Sequence, residues 1–548
     1  MSVTGLRWLG AAALLALAAA PMVWTAAEAL RAGGDAGAWR TLLEEPSVGH
    51  ALALTLWTGL ASTGLAWWCA AALLASGFVR QRLDRVLRGL PLMLATPHAA
   101  LAIGLLFLIA PSGWLLRLVS PGLTGFESPP PWVTTQDPWG LGLILVLVAK
   151  ETPFLLWTAA TQLQRDDVRQ RWRAEHALAQ TLGYAPRRAF WLVLWPQLAR
   201  RLRWPLLAVL AYGLTVVDMA LVIGPAAPPT LAVLAWQWLQ DVDPATYARG
   251  AAAGVWLALT VLVCSVLWLA LQRAAQRALA HGRGRRGDAR RAAPATVSAG
   301  LWLLGGLYVA VLLALALGSV SGVWAFPAIW PQSWTLAAWH QVASSSTTTV
   351  TTLWLAAGSS AIALVWSVAW LELAPRRWDE ALRPLLYLPL VLPAVLWVVG
   401  LYAVGLRLRL EGQALGVLLA HTLMVLPYVL LALSPAYLGF DARYAQLNAS
   451  LGHGAWRFLW RVKWPLLRRS LASAAAVGFA VSVAQYLPTL YLGAGRYASV
   501  TTEAVTLASG GQRSLTSAYA GLQILLPVLA FALAAWVGRP RRFRRNPA

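Results

Sequence analysis

The chain of 548 residues is poor in lysine, cysteine and charge: two lysines, two cysteines and 12% charged residues in all. A nucleotide-binding P-loop needs Gly-Lys-Ser/Thr, because the lysine must reach the phosphates and the hydroxyl must hold Mg²⁺. Lys150 follows Ala149 and Lys463 follows Val462, so neither belongs to one. Cys69 and Cys264 cannot build a disulfide framework, and both read as small apolar fillers inside hydrophobic runs. The histidines (His50, His98, His176, His281, His340, His421 and His453) stand singly, with no pair at metal-ligand spacing. No acid, base or nucleophile set stands out, so the chain is read as a non-enzyme with no cofactor or metal of its own.

With 59% apolar residues, too little polar surface remains for a soluble protein of this length. Runs long enough to cross about 30 Å of hydrocarbon as helices fall at Leu9–Ala27, Ala51–Phe78, Leu90–Ala110, Leu141–Ala160, Leu206–Gly224 and Ala252–Leu271. Six more follow at Leu301–Ser321, Thr349–Trp370, Leu385–Val404, Ala414–Leu433, Leu471–Leu490 and Ala518–Val537. Each run is continuously apolar, whereas barrel strands alternate over about ten residues. The expectation is an all-α polytopic membrane protein of about twelve spans. A cleaved signal in the first run would leave eleven spans and unbalance the halves, so that run is read as a span.

The net charge of +23 does not point to nucleic acid, because the arginines alternate between loops. Arg80, Arg82, Arg85 and Arg88 precede the third span, and Arg165, Arg169, Arg171, Arg173, Arg187, Arg188, Arg200, Arg201 and Arg203 separate the fourth from the fifth. These loops read as cytoplasmic, as do both termini, with Arg7 at one end and Arg539, Arg541, Arg542, Arg544 and Arg545 at the other. The cation-poor segments 28–50, 111–139 and 322–346 face the other compartment, with Arg407 and Arg409 a local exception to the rule. A basic, Gly- and Ala-rich stretch, 273–298, reads as a cytoplasmic linker between units 1–272 and 299–548, compatible with a helical extension of the sixth span to about Ala280.

The two units repeat each other. At an offset of 269 residues, Ala177 through Gly183 to Trp195-Pro196 superposes on Gln446 through Gly452 to Trp464-Pro465, and Arg188, Arg200, Ala211, Leu221 and Gly224 superpose on Arg457, Arg469, Ala480, Leu490 and Gly493. A second repeat matches Pro97 and Gly104 to Pro393 and Gly400. Units with an even number of spans insert in the same orientation, which makes the repeat parallel about an axis along the membrane normal. The repeated loops hold a helix-forming segment, a Gly able to take φ > 0, a basic and aromatic stretch and a Trp-Pro entry to the next span. The competing reading is a pair of amphipathic helices lying on anionic membrane lipid, which leaves the spacing from Gly183 to Gly224 and from Gly452 to Gly493 without a cause.

At these residues the chain resembles the membrane subunits of binding-protein-dependent ABC importers of type I, whose cytoplasmic Glu-Ala-Ala-x3-Gly loop, with a Pro thirteen residues after the Gly, forms the helices that dock on the ATPase. Gly183 with Pro196 and Gly452 with Pro465 fit that pattern; the Glu position does not, being Ala177 and Gln446, with Glu175 displaced by two residues. The fused form is similar to the thiamine and ferric-iron permeases and to the YnjC-type permeases, the last through Gln485-Tyr486-Leu487-Pro488-Thr489, Gly493-Ala494-Gly495-Arg496 and Thr501-Thr502-Glu503-Ala504. The resemblance implies an inner-membrane permease component, two copies of an ATPase subunit carrying ATP and Mg²⁺, a periplasmic solute-binding protein, and a small molecule or ion as cargo. Its ATPase-coupling residues would be Ala177, Gly183, Arg188, Pro196, Gln446, Gly452, Arg457 and Pro465. An autonomous secondary transporter with two parallel six-helix halves is the alternative, and the loop pair is what separates the two.

Candidate pathway residues are those whose burial in lipid is costly. Asp218 in the fifth span reads as lining a cavity, with an interfacial carboxylate or a structural ion pair as competing readings. Lys150 and Glu151 sit mid-span; adjacent residues diverge by about 100° around a helix, so they point apart, and pairing with neighbouring helices competes with a pathway role. Gln485 and Tyr486 occupy the corresponding span of the second unit and equally fit hydrogen-bonded core positions. Pro153, Pro427 and Pro488 are expected to bend helices and free carbonyls.

Overall fold

The computed structural model describes residues 3–79, 90–163, 166–281 and 296–539. Arg80, Arg82, Arg85, Arg88 and Arg165, the stretch 282–295 of the expected linker, and the arginines from Arg541 onward lie outside the described residues. The principal helices of the first half are α1 (Val3–Ala32), α2 (Pro46–Val79), α3 (His98–Ile109), α4 (Leu141–Leu163), α5 (Arg203–Thr215) and α6 (Pro244–His281). Those of the second are α7 (Thr296–Ser319), α8 (Ser346–Leu373), α9 (Ala394–Arg407), α10 (Ala414–Leu438), α11 (Trp464–Val483) and α12 (Arg513–Val537). Among the described residues there is no strand, only an isolated bridge between Ser321 and Trp334. The first nine residues of the expected linker, 273–281, continue α6 as helix.

Ten helices among the described residues are long and apolar enough to cross a membrane, and eleven if the pair Arg376–Val391 and Ala394–Arg407, bent by 99°, counts as one. The expected span Leu206–Gly224 is two helices: α5 stops at Thr215, and a short helix restarts at Asp218 and ends at Ile223. Its counterpart Leu471–Leu490 is also broken, α11 ending at Val483 and a helix restarting over Leu487–Gly493. Mean apolar character hides such breaks, because one polar residue, Asp218 or Gln485, does not end a hydrophobic run.

The third spans break as well. A helix over Leu90–Ala95 ends before Pro97, which caps α3 in an extended conformation (φ −65°, ψ 155°), and Pro393 caps α9 in the same way (φ −53°, ψ 135°). A proline disfavours helical geometry at the residue before it, so each Pro terminates one helix and begins the next. The glycine seven residues on then has a packing role. α1 crosses α9, and a Cβ at Gly400 would collide with the Thr25 carbonyl of α1; α7 crosses α3, and a Cβ at Gly104 would collide with Val311 of α7. The opening helix of each half therefore packs on the third span of the other half. Glu28 on α1 reinforces the first crossing by accepting from Arg407 Nη1 at 2.5 Å.

Around this exchange the halves pack alike: α2 on α4 and α5, α8 on α10 and α11. The main buried cluster draws Leu101, Leu147 and Ile223 from one half and Val398, Val483 and Leu487 from the other. Outward-facing residues such as Trp302 and Leu303 are exposed and apolar, as a lipid-facing surface requires.

Candidate functional site

The two repeated loops adopt one backbone. In the first, a helix over Asp166–Thr181 ends at Gly183 (φ 88°), a short helix runs over Pro186–Ala189, a π-helical turn over Phe190–Leu194, and a helix starts at Trp195. In the second, a helix over Arg443–Ser450 ends at Gly452 (φ 73°), then come Ala455–Phe458, a π-helical turn over Leu459–Lys463, and α11 from Trp464. Both glycines close Schellman turns: Gly183 N–H donates to Gln180 O (2.9 Å) and Tyr184 N–H to Ala179 O (3.1 Å), as Gly452 does to Ala449 O (2.9 Å) and His453 to Asn448 O (3.1 Å). Pro196 and Pro465 each fall in the first turn of the following helix, where no N–H is needed.

Ala177 and Gln446 are exposed on the helix before the turn, Arg457 is exposed and Arg188 half-buried after it. Two leucine pairs that sequence reasoning did not single out stand beside them: Leu178 and Leu182 in one loop, Leu447 and Leu451 in the other, all more than half exposed and 269 residues apart pair by pair. Their signal was the same offset. Apolar side chains held outward at a polar surface form a ready contact for a partner.

The loops differ in bracing. Glu175 accepts from Arg171 Nε (2.8 Å) and from Gln197 Nε2 (2.7 Å), and His176 Nε2 bonds Pro186 O (2.9 Å). Burial pushes the Glu175 carboxyl up, but the bonds from Gln197 and Arg171 and the Arg171 charge outweigh it and hold the group below its ordinary value. The second loop has Asn448 Nδ2 donating to His453 O (2.9 Å), and Lys463 at its end pairs with Glu372.

Within the bundle, polar groups gather where the helices break. Glu151 on α4 lies 3.9 Å from His98 Nε2 at the start of α3; the His98 ring meets Tyr212 of α5 at 4.7 Å between centroids; Tyr212 OH donates to Asp218 Oδ1 at 3.4 Å. Asp218 is the first residue after the α5 break. From the second half, Tyr486, at the equivalent break, lies within electrostatic reach of Asp218, and Tyr428 within reach of Glu151. His98, Tyr212, Asp218 and Tyr428 each keep part of their surface accessible despite their depth, as residues bordering an internal space do. Gln485 sits in the second break itself, its backbone tied to Ser482 and Thr489.

Lys150 points away from Glu151. Its ammonium donates to the carbonyls of Thr96 (2.5 Å), Leu94 (3.3 Å) and Met93 (3.4 Å), the groups freed where the Leu90–Ala95 helix stops. His421, unassigned by sequence, clips the other broken helix from both sides, through Ser482 Oγ (2.8 Å) and Thr489 Oγ1 (2.9 Å). His98 and Tyr212 were missed because each is alone in the sequence; only the fold joins them to the acids. Among the described residues no group of three or more His, Cys, Asp or Glu is placed to hold a metal ion.

Broken helices that meet at a polar centre in a polytopic helical protein fit the membrane permeases as a class. No family model matches the chain. It is 34% identical to the inner membrane ABC transporter permease protein YnjC of Escherichia coli over 538 residues, 97% of each chain. It is 28% identical to the thiamine transport system permease protein ThiP of Salmonella typhimurium over 486 residues, 84% of this chain and 83% of that one. The molybdenum transport system permease protein ModB of Mycobacterium tuberculosis is 32% identical over 226 residues, 83% of its length and 38% of this chain. The chain belongs to the permeases of binding-protein-dependent ABC importers, and it forms the translocation pathway as a multi-pass protein of the inner membrane. Such permeases work with an ATPase and a substrate-binding protein.

Proposed function

We propose that the segments around Gly183 and Gly452 are the two docking points for a pair of ATPase subunits, and that Glu151, Asp218 and Tyr486 border the path of a positively charged solute. The observation that carries the first part is the repetition, residue for residue at an offset of 269, of a left-handed glycine turn, a π-helical turn and two exposed leucines. A loop that only tethers two spans needs none of these. In this reading both loops and both termini face the cytoplasm. ATP and Mg²⁺ belong to the partner, so the purified chain alone hydrolyses no ATP. Closing of the ATPase pair draws the loops together and rocks one half against the other, to the extent that the partner binds the two arrangements with different affinity.

The cation reading rests on chemistry: the polar centre offers two carboxylates, the His98 imidazole, the phenols of Tyr212, Tyr428 and Tyr486 and, among the described residues, no Arg, and Lys150 is held by backbone carbonyls. A carboxylate and a cation 4 Å apart attract by about 1 kcal/mol in water-like surroundings and about 4 kcal/mol in protein-like ones. Asp218→Asn keeps the shape and removes the charge, so uptake should fall by at least about fivefold while the complex assembles normally. Uptake by cells carrying the cognate ATPase and binding protein is the measurement. Unchanged transport would take Asp218 out of the pathway and leave the solute's charge without support.

A further inference from the structure

On the face opposite the repeated loops lies a cavity of about 270 Å³ between α3, α7 and α12, lined by Arg117, Arg513, Ser112, Ser321, Ser514 and Ser517 together with Trp114, Trp324 and glycines. Its side of the membrane follows from the topology: α4 and α10 start on this face and end at the two loops. The cavity carries two cations and no carboxylate in its lining, and no carboxylate pairs with either arginine among the described residues.

Arg117 is buried, 3% exposed, and is held by neutral partners only: Ser112 O (3.0 Å), Ala325 O (2.8 Å), Ala328 O (2.8 Å) and Trp324 O (3.1 Å), with its guanidinium 4.9 Å from the Trp324 ring centroid. These contacts fix its orientation without cancelling its charge. Arg513 stands close enough for the two charges to repel, and it donates to Ser112 Oγ. It is also the first residue of the 25-residue α12, whose N-terminus adds partial positive charge. An arginine cannot shed its proton, so two unpaired guanidiniums beside one cavity call for an anion.

The Ser517 hydroxyl is fully buried, has no hydrogen-bond partner, and lines the cavity. Gly318 of α7 packs against it, and a Cβ there would press on Ser517 Oγ. The rim carries Trp114, in edge contact with Trp330 at 6.2 Å. Tryptophan gathers at the depth of lipid headgroups, which places the cavity where a phosphate can enter.

We propose that this cavity is a binding site for a phosphate oxyanion, carried on an anionic phospholipid headgroup or present as the free ion. Arg513 contacts it directly, and Arg117 supplies charge from behind. The planar guanidinium fork suits a tetrahedral oxyanion. The site is distinct from the acid-lined centre and would tie the packing of α12 on α7 to the surrounding membrane.

The test uses the full-length chain, delipidated in an uncharged detergent. Its thermal midpoint is followed against sodium phosphate and, separately, against dioleoylphosphatidylglycerol in mixed micelles, with dioleoylphosphatidylcholine as the background to subtract. Stabilisation above background is expected from at least one probe, with the half-saturating concentration raised at least tenfold in Arg513→Gln, whose exposed side chain does not decide folding. A response to the lipid alone assigns the headgroup; a response to sodium phosphate assigns the free ion. No response to either probe, or an Arg513→Gln response equal to that of the unaltered chain, overturns the proposal.

Discussion

Gly452 offers a clean perturbation because its effect is confined to the backbone. Its φ is 73°, and a Cβ added there would meet nothing within 4 Å, so a substitution neither clashes nor opens a cavity. What it costs is the left-handed conformation, about 1–2 kcal/mol for an ordinary L-residue, and the β-branch of valine adds to that. At 1.4 kcal/mol per factor of ten, Gly452→Ala should lower the population of the closed turn about five- to thirtyfold relative to unwound alternatives, and Gly452→Val by more. Asparagine visits this region readily, so Gly452→Asn should stay close to the unaltered protein. Gln446→Ala, which only copies Ala177 of the other loop, should matter little. The readouts are the amount of ATPase subunit retained by the purified permease and solute uptake into vesicles, with membrane insertion as the control. Gly452→Val with normal retention and uptake would refute the docking role, and Asn behaving as badly as Val would refute the conformational argument for it.

Three further outcomes are expected. Lys150→Met leaves the carbonyls of Met93, Leu94 and Thr96 without their charged donor and should destabilise the chain by about 2 kcal/mol, read as a lowered thermal midpoint in detergent; an unchanged midpoint would show that the break needs no cap. Because the Glu175 carboxyl is held below its ordinary value, its contribution is fully present above the ordinary carboxyl pKa of about 4.3 and fades only as pH falls through the depressed folded value. Amide exchange in 182–189, corrected for its intrinsic pH dependence, should therefore show constant protection from about pH 8 to about pH 5, and a loss of protection nearer neutrality would assign the bracing to another group. Reporter fusions after Arg173 should signal cytoplasm and fusions at Ala328 the opposite compartment; the same compartment at both sites would overturn the orientation.

The loops were legible before any coordinates because their chemistry is local. A turn that needs φ > 0 requires glycine, and a helix start accepts proline, so Gly183, Pro196 and their partners at offset 269 announce a repeated backbone. The Pro97–Gly104 and Pro393–Gly400 repeats were visible too, but not their meaning, since a glycine's purpose at a helix crossing depends on which helix crosses it. The same limit hid the breaks at Val216-Val217 and Ala484–Tyr486: Asp218 and Gln485 mark them as polar positions, but hydropathy counts composition rather than hydrogen bonds and does not show that the helix stops there. The polar centre was half legible. Asp218 and Glu151 stand out as charges in lipid-length runs, whereas His98, Tyr212 and Tyr428 acquire significance only from the neighbours that folding gives them.

The two halves share a backbone while differing in the side chains it carries, and the difference separates two tasks. Val217 and Tyr486, at the same offset as the loops, hold nearly the same geometry before the restarted helices, φ −111° with ψ −52° and φ −105° with ψ −67°. That equivalence suits a motion in which both halves move together. The charged groups are not repeated: Asp218 opens the first restarted helix and Leu487 the second, and where Glu151 meets His98 on one side, the other side presents Tyr428 and the neutral clip of His421 with Ser482 and Thr489. Under the proposed function, a solute passing between the halves meets Asp218 and Glu151 on one wall and the phenols of Tyr428 and Tyr486 on the other. The repeated loops contain neither Asp218 nor Glu151, so under the proposed function changing these acids should alter which solute crosses while leaving the response to the ATPase intact.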